Sequence, residues 1–562
     1  MKQIPYGISN FKKLRTADML YIEKTNFIKT IESDSRYLIM LRPRRFGKSL
    51  LLSTLQHYYD ESEIDSFDTL FRDLYIGKNP TPLKNSYKTL LFEFSRIETE
   101  NRDTIYTGFM DNVRDTLEKF LRKYGYKQRD IDRLKERDTP EGILKIFFMI
   151  VEKEKIYIFI DEYDHFANSI LADDMRLFKK IVGKGGFVRS FYETLKTETF
   201  TGVVDRIFIT GVTPITMDSM TSGFNIATDI TNQNRYNDLL GFTKRETTDI
   251  LQRIFDKCDI SEDEILEKVT KWYNGYKFNS EAKNRLYNPN MVLYFIYNFN
   301  YKKCENPKDM LDTNIASDYG KIMRLFQLGD VDENFKVLEA LIEDNEIIEE
   351  IVSRFDFDRD FEVRDFINLL YYMGFITIKE DDIFDTKFMI PNSVIKQLYF
   401  DYFKVEIEKR ADIKFADRAI KNAIKTLVTS NNIEPFIDEF RNVLKLLSNR
   451  DFMRMDEKHI KSILLTMLYS VDAYFIKSEP EYEGKYPDIM LLFRSPYKLK
   501  YQFLFELKYY KKSKPKDRET KIKEGKEQIE DYLKIKEIME LESLRSYLII
   551  SDGREVEVFE VI

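Results

Sequence analysis

The sequence is poor in the residues that stabilise small secreted domains or form transition-metal sites. Its 562 residues include two cysteines, Cys258 and Cys304, and three histidines, His57, His165 and His459. Two cysteines exclude a disulfide framework and a cysteine-rich zinc site. The three histidines are too few and too scattered for a histidine-based metal centre. Glycine is scarce at 20 residues, whereas aromatic residues make up 14% of the chain.

The sequence has no large excess of one charge and no long apolar run. Its 89 basic and 96 acidic residues give a formal net charge of −7, which excludes a histone-like basic protein. Any contact with nucleic acid must therefore come from a local basic patch. The most apolar stretches, such as IYIFI at 156–160, are far shorter than a membrane span. With no signal-peptide pattern at the start, we expect a soluble cytoplasmic protein without a membrane segment.

Length and patterning predict several α/β domains. A chain of this length corresponds to roughly three to five domains. Short apolar runs of strand length lie at 36–41, 89–94, 156–160 and 206–210, and helical patterns between them include 50–59 and 103–124. Strands that alternate with helices predict a parallel sheet covered on both faces.

From about residue 241 the pattern changes to amphipathic helices. Helices are predicted in GFTKRETTDILQRIFDKC and SEDEILEKVTKWYNGY, over 335–376 before a short strand near 383–390, and over 401–449. A helical pair followed by a small hairpin fits a winged-helix-like unit. From about 455 a second α/β unit is predicted, with strands at 473–478, 487–493, 501–509 and 545–551 and a helix at 521–539.

A phosphate-binding loop is predicted after the first strand, in RPRRFGKSLLLSTL at 42–55. Such a loop binds phosphate through backbone N–H groups and a helix N-terminus. Lys48 would contact the β- and γ-phosphates, and the Ser49 hydroxyl would bind Mg²⁺. Arg42 replaces the usual opening glycine, so the motif is incomplete. An ordinary strand–helix turn stays an alternative.

The run IYIFIDE at 156–162 predicts the second nucleotide motif. Asp161 would hold Mg²⁺ through water, and Glu162 would polarise the attacking water. Both follow a predicted parallel strand, at the edge where ligands bind in open α/β sheets. A further strand ends at Thr210, whose hydroxyl can contact the γ-phosphate or the water. The role of His165, close behind the acidic pair, stays open between structure and function.

Three arginines are candidates for an arginine finger, namely Arg44, Arg45 and Arg206. Each can also be a solvated side chain. Because Arg44 and Arg45 lie within the loop, they can instead bind phosphate directly.

A second set of charged residues lies in KYPDIMLLFRSPYKLKYQFLFELKYYKK, at 485–512. Asp488 begins one predicted strand, and Glu506 and Lys508 share one face of the next. A short connection makes the strands antiparallel and brings Asp488 near Glu506. Adjacent carboxylates repel unless a divalent cation neutralises them, and oxygen ligands favour Mg²⁺ or Mn²⁺. With a lysine to orient water they suit phosphodiester hydrolysis, and a surface-facing strand edge is the alternative.

Other residues near this set are further candidates. Glu457 on the preceding helix can add an acid to the metal site, and Gln528 on the following helix can contact substrate or a ligand carboxylate. Residues 508–526 hold nine Lys and Arg against three acids, and this basic set can grip a phosphate backbone or form a solvated helix face. Its members are Lys508, Lys511, Lys512, Lys514, Lys516, Arg518, Lys521, Lys523 and Lys526.

A series of short segments, in chain order, resembles the bacterial AAA-ATPase-like family, which often carries a C-terminal PD-(D/E)XK nuclease-superfamily domain. The segments are PYGISNFKKL, YIEKT, RPRRFGKS, IYIFIDEYDH, FITGVTP, SGFNIATDIT, GFTKRE, YNGYKF, LYNPNMVLYF, LYYMGFITI and IPNSV. The resemblance spans essentially the whole chain. Arg42 in place of the first glycine is usual in this family, whereas YIEKT departs mildly from the more frequent YVDKT.

The resemblance implies an α/β multidomain fold with an AAA+/STAND-like P-loop NTPase sheet and a restriction-endonuclease-like C-terminal domain. The expected domains are the NTPase domain at 1–240, a helical lid at 241–340, a winged-helix-like region at 341–400, a helical connector at 401–450 and the nuclease-like domain at 451–562. Residues and resemblance together predict nucleotide binding by Arg44, Arg45, Phe46, Gly47, Lys48, Ser49, Leu50, Asp161 and Thr210. The predicted catalytic residues are Glu162, Asp488, Glu506 and Lys508, and the predicted metal ligands are Ser49, Asp161, Asp488, Glu506 and Glu457.

The function expected from these features is an ATP-dependent regulator joined to a nuclease. ATP and Mg²⁺ are the expected cofactors, nucleic acid, with DNA preferred, is the expected partner, and a homo-oligomer is compatible with the resemblance. One alternative is a nucleotide-dependent switch or scaffold that binds nucleic acid or protein without cleavage. Another is a chain that binds ATP without hydrolysing it.

Overall fold

A computed structural model describes most of the chain, in two compact units. The described residues are 2–95, 97–98, 100–182, 185–215, 226–312, 326–355, 359–381, 384–447, 456–471, 473–494, 497, 499–513 and 515–562. The first unit comprises Met1–Asn298, Asp312–Val337 and Glu346–Asn392. The second comprises Phe299–Leu311, Leu338–Asn345 and Ser393–Ile562. Among the described residues, no helix has the length and apolarity that crossing a membrane requires.

The first unit is built on a parallel five-stranded sheet in the order β2-β3-β4-β1-β5. Its strands are β1 Tyr37–Leu41, β2 Lys88–Glu93, β3 Ile156–Asp161, β4 Val204–Gly211 and β5 Thr228–Asp229. Every residue of β3 and β4 is buried. Both strands are central and covered on both faces, which is why β3 is apolar up to Asp161 and β4 has the apolar centre Ile207–Ile209. The predicted parallel sheet is confirmed.

Helices cover this sheet. They are α1 Phe11–Thr16, α2 Phe27–Ser33, α3 Lys48–Tyr59, α4 Phe67–Phe71, α5 Tyr75–Lys78, α6 Arg102–Lys123, α7 Gln128–Asp132, α8 Pro140–Ile150, α9 His165–Asp173, α10 Met175–Val182 and α11 Phe187–Thr201. Helix α6 shows why such segments are helical. A capping box between Asn101 and Thr104 starts it, and Ile105, Phe109 and Val113, four residues apart, are buried on one face.

The rest of the first unit is helical with one small sheet. Its helices include α12 Lys244–Phe255, α13 Glu262–Tyr273, α14 Pro289–Asn298 and α16 Val363–Met373. Helix α15 Val331–Glu343 belongs to this unit as far as Val337 and to the second unit from Leu338. The small sheet has the order β6-β8-β7, from β6 Glu346–Glu349, β7 Thr377–Asp381 and β8 Thr386–Met389. The prediction of helix throughout 335–376 was therefore wrong, because β6 interrupts it by pairing antiparallel with β8. Helix α16 is followed by the β7–β8 hairpin, the winged-helix-like region stays a prediction, and residues 382–383 lie outside the described residues.

The second unit joins helices to a mixed sheet. Its helices are α17 Ser393–Ala411, α18 Asp417–Ser430, α19 Glu434–Leu447, α20 Glu457–Tyr469, α21 Pro515–Tyr532 and α22 Lys536–Met539. The sheet has the order β13-β12-β11-β10-β9, with β9 Tyr474–Ser478, β10 Ile489–Phe493, β11 Gln502–Tyr509, β12 Leu544–Ser551 and β13 Val556–Val561. Only the pair β11–β12 is parallel. Four of these strands match the predicted ones, β13 was not predicted, and the predicted helical residues 448 and 449 lie outside the described part of the chain.

Candidate functional sites

The predicted phosphate-binding loop lies between β1 and α3. Gly47 precedes the helix with a φ of +95°, and Arg45 also has a left-handed φ of +69°. The helix begins at Lys48, so its first N–H groups point into the loop, where anions bind. A cavity of about 530 Å³ opens there, within the range of small-molecule sites. The predicted loop residues that line it are Arg44, Arg45, Phe46, Gly47, Lys48, Ser49 and Leu50.

The Lys48 ammonium is buried inside this loop. Its Nζ donates to the carbonyl oxygens of Arg42, at 2.8 Å, and Pro43, at 2.9 Å. Burial lowers the pKa of Lys48 to about 8, while the nearby Asp161 and Glu162 oppose that shift. A cation held near two acids at a helix N-terminus is suited to bind a polyphosphate.

The carboxyl ends of three neighbouring strands bring the predicted polar residues to the same place. Met40 of β1 pairs with Thr210 of β4, and β4 pairs with β3, which ends at Asp161. The Thr210 hydroxyl donates to Asp161 Oδ1 at 2.7 Å, and Ser49 also hydrogen-bonds this carboxyl group. Burial raises the pKa of Asp161, and these two hydroxyls oppose that rise. The structure thus brings Lys48, Ser49, Asp161 and Thr210 together. Lys48 and Ser49 line the cavity, whereas Asp161 and Thr210 are buried and do not line it.

Glu162, the next residue, faces the cavity with His165. Its backbone has a φ of +50°, in the left-handed region that non-glycine residues rarely adopt. The His165 Nδ1 lies 3.1 Å from Glu162 Oε2. Burial alone would raise the pKa of Glu162, but the His165 hydrogen bond and charge, with Lys48, hold it below its ordinary value. Glu162 is therefore ready to accept a hydrogen bond from water.

Asp164 is a residue of this centre that the sequence analysis did not identify. It is fully buried, and its Oδ2 accepts hydrogen bonds from the Thr213 N–H at 2.7 Å and from the Asn168 amide at 2.7 Å. The Val212 N–H donates to Oδ1 at 3.1 Å. These bonds fix the chain after β4 to the start of α9. The available signal was a second aspartate three residues after Asp161 in IDEYD.

Arg42, at the position of the usual glycine, supports the loop from behind. The buried guanidinium donates to the carbonyl oxygens of Leu41, Thr231 and Tyr236 at 2.7–3.0 Å. It also lies 4.0 Å from the centre of the Phe278 ring. Burial lowers the pKa of Arg42 to about 10. Arg42, which stands where the usual pattern has a glycine, thus fixes the first residue of the loop to buried carbonyl groups behind it.

The remaining motif segments also pack against the loop. Phe46 meets the rings of Tyr276, at 4.9 Å, and Phe278, at 5.5 Å, edge to face. Gly374, at a φ of +82°, ends α16 so close to Pro43 that a β-carbon at 374 would lie 2.7 Å from Pro43 Cγ. The YNGYKF and LYYMGFITI segments therefore contact the phosphate loop directly. Residues 222–225 of SGFNIATDIT lie outside the described residues.

Arg206 does not belong to this group. It lies near the amino end of β4, is buried, and donates to the Glu32 carbonyl oxygen at 3.0 Å. Its neighbours are tyrosines such as Tyr157 and Tyr59. Of the three candidate arginines, Arg44 and Arg45 line the cavity, and the arginine-finger role stays a prediction.

The second group of predicted residues lies on β10 and β11. These strands are antiparallel, with Ile489 opposite Phe505, as predicted. Asp488, immediately before β10, therefore meets Glu506, and its Oδ2 accepts the Leu507 N–H at 2.8 Å. Lys508 donates to Glu506 Oε1 at 2.6 Å. The structure thus brings Asp488, Glu506 and Lys508 together.

Glu506 carries charge that its protein surroundings only partly balance. Its Oε2 is buried and has no hydrogen-bond partner among the described residues. Burial, and then the charge of Asp488, raise the pKa of Glu506 to about 7. Burial also raises the pKa of Asp488, whereas Glu506 and Asp488 raise that of Lys508 against the effect of burial. An unpaired buried oxygen beside a second carboxylate is suited to a divalent cation.

Glu457, the other predicted ligand, lies at the first residue of α20. Its Oε2 accepts the Tyr509 N–H at 3.0 Å, and its charge reaches both Asp488 and Lys508. Within the described ranges, no group of three or more His, Cys, Asp and Glu side chains is arranged to hold a metal ion. A Mg²⁺ ion on Asp488 and Glu506 would take its other ligands from water and substrate, as this ion commonly does.

The predicted basic set after β11 is partly neutralised by acids. Arg518 pairs with Glu557, Lys521 with Glu524 and Lys523 with Glu527. Lys514 lies outside the described residues. Gln528 is exposed on α21, and its predicted contact stays a prediction. Tyr532, one turn later and not predicted, lies near Glu506 and donates to the Tyr486 carbonyl oxygen at 3.2 Å.

Comparison with protein families agrees with the resemblance seen in the motifs. Residues 5–221 match the family model described as predicted AAA-ATPase. Residues 455–560 match the PD-(D/E)XK nuclease superfamily. The chain therefore contains an AAA-ATPase-like domain and a PD-(D/E)XK nuclease-superfamily domain, and the two candidate centres fall one in each.

Individual proteins are also similar to this chain over part of its length. An uncharacterized protein encoded in the vnfD 5′ region of Azotobacter chroococcum mcd 1 is 26% identical over 298 residues, which are 51% of this chain and 50% of that protein. The aligned part thus spans about half of the curated relative. A Walker-type ATPase of Pyrococcus abyssi is 13% identical, with a TM-score of 0.40 over 71% of this chain and 97% of that one.

Proposed function

We propose that this chain binds and hydrolyses ATP at the centre around Lys48, and that its nucleotide state controls Mg²⁺-dependent cleavage of DNA at the centre around Asp488. One observation carries the proposal. In each matched domain a lysine lies beside carboxylates, with Lys48 near Asp161 and Glu162 and Lys508 paired with Glu506, and this supports phosphate chemistry at both centres.

The first centre has the parts for ATP hydrolysis. The loop N–H groups and Lys48 would bind the phosphates, and Ser49 and Asp161 would hold Mg²⁺, which neutralises phosphate charge. Glu162, kept ionised by His165, would orient the water that attacks the γ-phosphorus as the bond to the β–γ bridging oxygen breaks. Thr210, bonded to Asp161, lies beside these groups.

The second centre has the parts for phosphodiester hydrolysis. Glu506 Oε2, which has no hydrogen-bond partner among the described residues, and the Asp488 carboxylate would supply oxygen ligands for a divalent ion. That ion would activate water and neutralise the phosphate. Lys508, beside Glu506, would orient that water. This fit rests on the donor atoms present, since two carboxylates without a cation repel each other.

A cleavage assay with and without ATP and Mg²⁺ tests the proposal on the full chain. We expect wild type to cut plasmid DNA only with a divalent ion and at a rate that depends on ATP. Glu506→Ala should abolish cleavage and keep ATP hydrolysis, whereas Lys48→Ala should remove ATP hydrolysis and the ATP dependence of cleavage. The control is Glu527→Ala, an exposed acid on α21, which should leave both activities unchanged.

A switch or scaffold without cleavage is the second candidate. It is favoured by the ion pairs that neutralise part of the basic set on α21, such as Arg518 with Glu557. In that case the chain would bind ATP and a partner, and no metal-dependent loss of plasmid would occur. Equal DNA stability with wild type and with Glu506→Ala would reject the nuclease in favour of this alternative.

A further inference from the structure

A second lysine approaches Asp488 from helix α20. Lys461 lies one helical turn after Glu457, and its side chain is only 6% exposed. Its Nζ is 3.9 Å from Asp488 Oδ1 and forms an ion pair with Glu479. Lys461 thus places a fixed positive charge between two carboxylates, next to the pair of Glu506 and Lys508.

The Glu479 carboxylate is held in position to accept a hydrogen bond from the Lys461 ammonium. Glu479 follows β9 with a φ of +49°, and its N–H donates to the Asp488 carbonyl oxygen at 3.0 Å. Its side chain is half exposed. The other charged groups that face this corner are Lys396, on α17, which interacts with Lys461 and Glu479, and Glu457, whose charge reaches Asp488.

We propose that the Lys461 ammonium, bridging Asp488 and Glu479, takes the place of a second divalent ion, so that the nuclease centre binds a single metal ion per chain. The inference rests on the proposed function, since it concerns the same centre. Lys461 is a positioning residue in this account: it occupies the second cation position and keeps Asp488 oriented towards the first.

Two-metal centres show what a second ion would need from the protein. In such centres two ions lie roughly 3.5–4 Å apart and share a carboxylate. Asp488 is placed to be the shared group, because Oδ2 accepts the Leu507 N–H at 2.8 Å while Oδ1 faces Lys461 at 3.9 Å. Glu479 would be the outer ligand of a second ion. An ammonium already pairs with both carboxylates, so a second metal ion would have to displace it.

Counting bound Mn²⁺ tests this inference without relying on activity. The full-length chain, without nucleotide, is titrated with Mn²⁺ and free ion is measured by electron paramagnetic resonance. Wild type should bind about one ion that is lost in Asp488→Asn, whereas Lys461→Ala should bind about two, spin-coupled, because a shared carboxylate holds them close. Lys461→Ala/Glu479→Gln should return to about one ion. Lys461→Met, which keeps the apolar stem, replaces Lys461→Ala if circular dichroism shows that the alanine variant is unfolded.

Three outcomes overturn the inference. They are two Asp488-dependent ions in wild type, an unchanged count in a folded Lys461 variant, and a second ion that persists without Glu479. The proposed function fails separately, and this inference with it, if wild type binds no ion that depends on Asp488.

Discussion

The two candidate centres differ in how their charges are balanced within the protein. Around Lys48, the described charged groups have protein partners: Asp161 accepts from Thr210, Glu162 faces His165 and Lys48 donates to loop carbonyls. Around Asp488, a buried oxygen of Glu506 has no partner in the described part of the chain, and Asp488 raises the pKa of Glu506. The first centre is a satisfied polar network, whereas the second holds like charges together.

This difference teaches that similar residue types can affect stability in opposite directions. Removing a group from a satisfied network leaves buried partners unpaired and costs stability. Removing a charge from a repelling pair relieves the cost of burying it. The comparison therefore predicts activity loss at both centres but opposite changes in the free energy of unfolding.

The largest effect is expected for Glu162→Gln, which keeps shape and removes the base. We expect ATP hydrolysis to fall about 10³-fold while ATP affinity is retained, since general-base residues contribute on this order. Phosphate release and equilibrium ATP binding measure the two quantities. Glu93→Gln, at the carboxyl end of the neighbouring β2, is the matched control. A rate equal to wild type would show that Glu162 is not the base.

Arg42→Met is expected to destabilise the protein by about 3–4 kcal/mol, because three buried carbonyl groups lose a charged donor. Those carbonyls belong to Leu41, Thr231 and Tyr236. Denaturant unfolding in the absence of nucleotide measures the change. Arg36→Met is the control, since that side chain is exposed. A loss below about 1 kcal/mol would contradict the role assigned to the buried guanidinium.

Glu506→Gln should have the opposite sign. Burial and Asp488 raise the pKa of Glu506 to about 7, so wild type is stabilised by the bound proton and loses that stability as pH rises through about 7. In a chelating buffer the variant should be more stable than wild type by about 3 kcal/mol at pH 8.5 and nearly equal to it at pH 4.5. Unfolding at the two pH values checks this. If the variant is less stable than wild type at pH 8.5, the Glu506 charge is balanced by protein partners, as the charges of the first centre are.

The smallest effect is expected at an exposed ion pair of α21. Lys523 and Glu527 are 3.8 Å apart and largely exposed, so Lys523→Ala should change stability by less than about 0.5 kcal/mol. If this face binds DNA, the same variant should release about one counterion fewer on binding, which lowers the slope of log affinity against log salt concentration. Fluorescence anisotropy at several salt concentrations measures it, and an unchanged slope would remove Lys523 from the DNA contact.

The sequence predicts the buried parts of the fold best. Strand β3 and the centre of β4 are apolar because both strands are covered on both faces, and the polar residues that follow these apolar parts are Asp161 and Thr210. Strand β6, four residues with partial exposure, carries no such pattern and depends on its pairing with β8. Strand β13 was also missed, because it is an edge strand of alternating residues.

The site was predictable where its residues lie at strand ends or close in sequence. Lys48, Ser49, Glu506 and Lys508 belong to local patterns. Tyr532 and Lys461 do not, since their positions follow from contacts with the distant segment 479–488, and the nearby acid pattern of Asp164 does not show that it binds 212–213. No spacing in the sequence encodes those contacts.

The close approach of Gly374 to Pro43 has a genetic consequence. A side chain at 374 would push against the loop that holds Lys48, although 331 positions separate Gly374 from Pro43 along the chain (374 − 43). A selection for mutants that no longer respond to nucleotide should therefore recover changes at 374 as well as in the loop. Pro43→Gly should restore them in part, because it removes the clash while the φ of +82° still strains any side chain at 374.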